Sequence, residues 1–171
     1  MLAADHQTQP PGQTDNGSFH EPEREGRRLA LAAVFEAEFG QRTAHVALRR
    51  RLGDGDVGER AAAHAQRIVD AVSRFRDSID AQIERVAPTY PVVQLARIDR
   101  ALLRCGMGEL LHCATTPARV AISEWVELAR TYSGEPTRRL MNGVLGRVAT
   151  EATDEAASEE NGFEQASGNV T

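Results

Sequence analysis

Lysine is absent from this chain: all twenty basic residues are arginine. Aromatic residues make up only 5% of the sequence, so a core has to be built from Ala, Val, Leu and Ile. No apolar run approaches the ~18 residues a membrane span requires, and no basic segment followed by an apolar one opens the chain; neither a membrane anchor nor a secretory signal is expected. The two cysteines, Cys105 and Cys113, lie on one predicted helix. Eight residues set them about 12 Å apart, too far for a disulfide, so buried thiols in a reducing cytoplasm are expected. His112 and Cys113 are adjacent and the other histidines are scattered. That pattern offers no metal-ligand spacing, and the chain carries no Gly-rich phosphate loop or nucleophile elbow. No metal, cofactor or catalytic group is expected.

What is present is segregated. At 171 residues the length suits one domain. The net charge of −5 hides a −4 segment over residues 1–23, a −6 segment over 151–171, and a +5 stretch between them. The mildly basic middle leaves a nucleic-acid partner open despite the acidic average. The ends are polar, with Pro10-Pro11-Gly12 and Asn16-Gly17-Ser18 in the first and Ser, Gly and Asn among acids in the second. Both read as disordered tails around a domain at 24–150.

Inside that domain the apolar residues recur at helical spacing. A first helix is expected from about Arg24 to Phe39, stopped by Gly40, and a second over Ala44–Leu52. Ile68, Val72, Phe75, Ile79, Ile83 and Val86 step by three or four along one long helix ended by Pro88 and Pro91. The stretch from Ile98 to Cys113 is apolar nearly all round, the mark of a central helix. Its Gly106 and Gly108 cost roughly 1 kcal/mol each in a helix, so a neighbour is expected to approach closely there. Another helix follows Pro117, with Ile122, Trp125, Val126 and Ala129 inward, and Ser133-Gly134 stops it. Thr137 is the expected N-cap of the last helix, which buries Met141, Val144, Leu145 and Val148. The fold class is all-α, a compact bundle of about six or seven helices.

Glu109 is the odd acid on the central helix. Pairing with an arginine such as Arg104, a place at the rim, and burial with a raised pKa are its three readings. Glu124 and Glu127 fit a solvated face paired with Arg130. Among the bases, Arg24, Arg27 and Arg28 gather at the expected start of the first helix, where they oppose its dipole. They suit either phosphate contact or a solvated helix end. Arg138 and Arg139 repeat that pattern on the last helix. Arg49-Arg50-Arg51 is a tighter run, but on a helix it points three ways. Tyr132 and Tyr90 are the two tyrosines, each a structural residue or a platform for a base.

The ordered set IDRALLR (Ile98–Arg104), GEL (Gly108–Leu110), ARVAISEWVELAR (Ala118–Arg130) and RRLMNGVL (Arg138–Leu145) resembles the NusB family of bacterial transcription antitermination factors. The likeness covers about Arg24 to Ala149. It implies a cytoplasmic, non-enzymatic protein that binds boxA-type single-stranded RNA of ribosomal RNA leaders together with the ribosomal protein NusE, and so serves an antitermination complex on RNA polymerase. It implies Arg24, Arg27, Arg28, Tyr132, Arg138, Arg139 and Asn142 as RNA contacts. Phe35, Asp99 and Arg100 are implied on the NusE-facing surface, with Asp99 and Arg100 as a charged rim. The family also admits a homodimer that hides the first helix. Two departures bear on RNA contact: Leu140 stands where the family has Phe, and Pro136 where an acid is common. The alternatives are a protein-only helical scaffold with weak RNA binding and an accessory domain like those at the front of ribosomal RNA cytosine methyltransferases. A further expectation is that the acidic C-terminal segment competes with RNA for the Arg cluster.

Overall fold

Each predicted helical pattern forms a helix. The computed structural model describes the backbone of residues 21–167 and the side chains of residues 21–154. The order is α1 (Glu21–Ala37), α2 (Ala44–Asp54), α3 (Glu59–Val86), a short 3-10 turn (Val92–Gln94), α4 (Arg97–His112), α5 (Ala118–Tyr132) and α6 (Glu135–Ser167). Six α-helices and no strand occur among the described residues, as the apolar spacing implied. Most of the tail expected over residues 1–23 lies outside the described residues.

The stop signals act where the sequence puts them. Gly40 follows α1 with φ +73° and Gly134 lies between α5 and α6 with φ +120°, a region that glycine enters without a Cβ clash. Thr43 caps α2 by accepting from the Val46 N–H. Proline ends α3, which bends at Phe75 (φ −113°, ψ 19°). There the Phe75 ring stacks on His112 of α4 at 3.8 Å between centroids. Burial pushes the His112 imidazole below its ordinary pKa.

Two boundaries differ from expectation, with consequences. Helix α1 begins at Glu21, so Glu21 and Glu23 fill its first turn and favour its dipole. The arginines fall behind them, and the expected conflict with the dipole disappears. Helix α6 begins at Glu135, again with an acid first. Thr137 is therefore inside the helix and is not its N-cap. Its buried hydroxyl donates to Asp99 at 3.0 Å and meets Ser133 at 2.9 Å. At its far end α6 continues through the boundary expected near Thr150, while Val148 is its last buried described side chain. The segment expected as a tail over 151–171 is thus helical as far as Ser167.

The expected central helix is central: α4 touches α1, α3, α5 and α6, and every residue from Ala101 to Glu109 is buried. Its glycines are the points of closest approach. A Cβ on Gly106 would stand 3.0 Å from Met141 and 3.3 Å from Trp125, and one on Gly108 would stand 3.0 Å from Val72. A third such position, Gly26, brings α1 onto α3 so tightly that a Cβ would lie 2.8 Å from the Ala61 carbonyl oxygen and 2.9 Å from the His64 Cβ.

That approach seats a polar network in the core. Arg27, 1% exposed, donates through Nε and Nη2 to the two oxygens of Glu109 at 2.9 and 2.7 Å. The Trp125 indole N–H donates to the same carboxylate at 2.7 Å. Arg67 can only donate, so its 3.2 Å contact makes His64 Nδ1 an acceptor and leaves the proton on Nε2. Nε2 lies 3.0 Å from Glu109, off the line of a good hydrogen bond. One carboxylate thus joins α1, α3, α4 and α5. Burial alone would raise the Glu109 pKa, but the close approach of the His64 N–H and the Arg27 hydrogen bonds and charge outweigh it and hold the group at about 2.

Glu109 is therefore buried, as one reading had it, but its pKa is lowered and its partner is Arg27, not Arg104. Five residues on a helix turn through about 140° between neighbouring faces, so Arg104 and Glu109 cannot share one. Arg104 faces Asp80, at 2.8 and 2.7 Å, and Glu38.

Removing one member of a buried pair strands the other, so Glu109→Gln should lower the unfolding free energy by about 3–5 kcal/mol in urea titrations. The folded pKa of about 2 lies below the ordinary 4.5, so this contribution is complete above pH 4.5 and fades as pH falls toward 2. Over that window the variant should lose less stability than the native chain. Gly26→Ala should cost about 1–3 kcal/mol, because the obstructing atoms belong to the α3 backbone.

Candidate nucleic-acid interface

Side chains at the start of α1 reach across to α5, and this meeting assembles residues about a hundred positions apart in the chain. Arg24, Arg28, Glu124, Glu127, Leu128, Thr131 and Tyr132 line one surface cleft of about 310 Å³. Arg24 is held side-on: its Nε and Nη2 donate to Glu124 at 3.0–3.1 Å. That geometry occupies one edge of the guanidinium and leaves donors on its outer edge. Arg28, half exposed, lies 3.7 Å from Glu21. Tyr132 is 49% exposed, an available face for stacking beside two cations.

The Ser133–Gly134 turn then brings the start of α6 beside this cleft. Arg138 donates to Glu135 at 2.7 and 2.8 Å, and Arg139 reaches the same carboxylate at 3.1 Å. The Arg138 and Arg139 hydrogen bonds hold Glu135 at about 2, so it stays charged at neutral pH. Arg138 lies on the side of α6 next to Arg130 and Glu127. Arg139 faces the other way and helps to line a groove of about 720 Å³ with Tyr90, Leu140 and Arg147. Asn142 is exposed one turn further along.

The structure thus brings Arg24, Arg28 and Tyr132 into one cleft, with Arg138 beside it and Arg139 and Asn142 on the neighbouring α6 surface. Arg27 is a correction. One helical step turns it inward onto Glu109, and a side chain 1% exposed cannot reach a phosphate. Glu124 is another: it pairs with Arg24, while Glu127 alone takes Arg130, at 2.5 Å. Of the acids of this face, Glu21 and Glu135 were not singled out by the sequence as partners of its arginines, and Glu124 was expected with Arg130. The Glu135 pairs are readable from their i, i+3 and i, i+4 spacing, whereas no local signal links Arg24 to Glu124. Leu140, at the family's Phe position, is half-buried in the groove wall and offers no ring to a base. At Pro136 the missing acid has a neighbour in Glu135, already bound to two arginines.

Two turns past Arg28 on α1, Phe35 is half-buried, with its ring edge-on to Phe39 at 5.3 Å. Phe39 is 52% exposed under the Arg97 guanidinium, 4.7 Å away. The expected charged rim differs here. Asp99 accepts from Ser133 and Thr137, tying α4 to the α5–α6 turn. Arg100 donates to Glu38 at 2.5 Å and to the Val93 carbonyl at 3.3 Å. Both charges are spent inside the molecule, and the outward features are the aromatic pair and Val93, 78% exposed.

Known proteins share this fold. A transcription antitermination protein NusB of Dehalococcoides mccartyi is 34% identical over 137 residues, 80% of this chain and 96% of the relative. One from Chloroflexus aggregans is 36% identical over 126 residues, 72% of this chain and 84% of the relative. The solved structure of T. maritima NusB superposes with a TM-score of 0.70 at 29% identity, covering 76% of this chain and 92% of that one. A crystal structure of antitermination factors NusB and NusE in complex with dsRNA shares the fold, with a TM-score of 0.69 at 20% identity over 76% of this chain and 97% of that one. Residues 24–150 match the NusB family, and with these relatives they place the chain in it: the protein belongs to the NusB family.

Proposed function

We infer that this chain is a transcription antitermination factor, without catalytic activity, that binds boxA-type RNA of ribosomal RNA leaders together with the ribosomal protein NusE. The observation that carries the RNA half is the cleft that unites Arg24, Arg28 and Tyr132 with the Arg138 edge of α6. Arginine forks supply phosphate contacts, and an exposed ring supplies a surface on which a base can stack. Arg139 and Asn142 extend the same strand's path over α6. The NusE surface is the apolar patch of Phe35, Phe39 and Val93, with Asp99 and Arg100 at its edge holding the backbone in shape. An aromatic cluster under a guanidinium suits a protein partner better than RNA, because it has few outward cations. The assembly would serve RNA polymerase during ribosomal RNA transcription in the cytoplasm. No described helix is long and apolar enough to cross a membrane. A homodimer covering the first helix would compete with this assembly.

Likeness over nearly the whole length of an antitermination relative supports the antitermination reading over the accessory methyltransferase one. The half-buried Leu140 favours the protein-only scaffold as the second reading, since base contact on that wall is reduced.

Fluorescence-anisotropy titration of a boxA-type RNA, alone and with NusE at two salt concentrations, tests the assignment. Four phosphate contacts give a log–log salt slope of roughly −2.8, and Arg24→Ala with Arg28→Ala should flatten it by about 1.4. Tight NusE binding without any RNA enhancement would select the scaffold reading.

A further inference from the structure

The three consecutive arginines of α2, Arg49, Arg50 and Arg51, do not all point apart as their spacing suggested. Two of them, Arg50 and Arg51, converge with Arg42 on a single carboxylate at the end of α1. Glu36 accepts from Arg50 at 2.9 Å and lies 3.0 Å from Arg51 and 3.4 Å from Arg42. Three positive charges around one negative leave a local excess of +2. The Arg24 face is closer to balance: Arg24, Arg28, Arg130, Arg138 and Arg139 meet Glu21, Glu124, Glu127 and Glu135. Arg42 and Arg50 are each 47% exposed and have five N–H donors apiece, so most of their donors stay open to solvent.

The two cationic clusters are joined along one helix face. Arg28, Ala32 and Glu36 stand at i, i+4 and i+8 on α1, about 12 Å from end to end. Ala32 between them is small and half-exposed, and Phe35, which borders the same path, is half-buried. We propose that Arg42, Arg50 and Arg51 form a second phosphate-binding surface, which takes the continuation of the RNA strand anchored at Arg24 and Arg28. A single strand fits better than an acidic protein segment, because the clusters lie in line and the first is read here as a phosphate site. The proposal rests on the RNA reading above: it lengthens the footprint beyond the first cleft and locates the added affinity in backbone contacts, which carry no base specificity.

The test compares the shortest boxA-type RNA that binds the full chain with the same RNA extended at its 5′ or its 3′ end. One of the two extensions should tighten binding to the native chain by up to roughly tenfold, the scale of two exposed charge contacts, and steepen the salt slope by about 1.4. Arg50→Ala with Arg51→Ala should remove that gain and leave the short RNA unaffected. Glu36→Gln, which lifts the one negative charge, should increase it. If neither extension tightens binding, or if the gain survives in the double variant, the proposal is overturned and the patch is left to an acidic protein surface. Failure of the short RNA itself to bind would remove the antitermination reading, and this proposal with it.

Discussion

The ion pair between Arg27 and Glu109 is the interaction on which the rest of the structure depends. It places two charges in a core otherwise made of small aliphatic side chains, and it is fully bonded: both carboxylate oxygens are used, and Trp125 completes the set. Charges are costly to bury, so such a pair holds together only when the geometry is good and the remaining lone pairs are occupied. Gly26 makes that geometry available by letting α1 sit against the α3 backbone. Alignment of α1 on α4 and α5 follows, and with it the position of Arg24 beside Glu124 and Tyr132.

Function is then a matter of which way neighbouring arginines face. Arg24 and Arg28 are four apart and point outward together; Arg27 lies between them and points in. The outward arginines do not stand free. Carboxylates bind each of them, so the face carries little net charge and its guanidinium groups are already oriented. A polyanion meeting such a face gains from fixed donors and less from bulk attraction, which favours a moderate salt dependence and a need for a protein partner. The aromatic patch around Phe35 and Phe39, further along α1, offers that partner a neighbouring surface.

Much of the fold was legible because helical spacing and stop residues are local signals. The central helix, the close approaches at Gly106 and Gly108, and the stops at Gly40, Pro88 and Gly134 could all be read from the chain. What could not be read were choices made by tertiary packing. Glu109 had Arg104 within reach on paper, and only the folded helix phases give it Arg27. Glu124 looked like a partner for Arg130, six residues on, yet its partner is a hundred residues away. Arg27 itself sits in a run of bases that composition alone assigns to the surface. Thr137 had the right residue type for a cap, but Glu135 started the helix a little earlier and freed its hydroxyl for Asp99. Of the implied RNA contacts, the cleft gathers Arg24, Arg28 and Tyr132, the start of α6 carries the rest, and Arg27 is lost to the core.

The central claim is that adjacent arginines on α1 are divided between fold and ligand. It is tested most directly by measuring unfolding free energy and RNA affinity side by side in Arg24→Met, Arg27→Met and the double variant Arg27→Met with Glu109→Leu. The account predicts that Arg24→Met keeps its stability and loses RNA affinity, whereas Arg27→Met loses about 3–5 kcal/mol of stability. Replacing both members of the pair should restore much of that stability along with RNA binding. A stable Arg27→Met with weakened RNA binding, or a double variant that folds but cannot bind RNA, would contradict it.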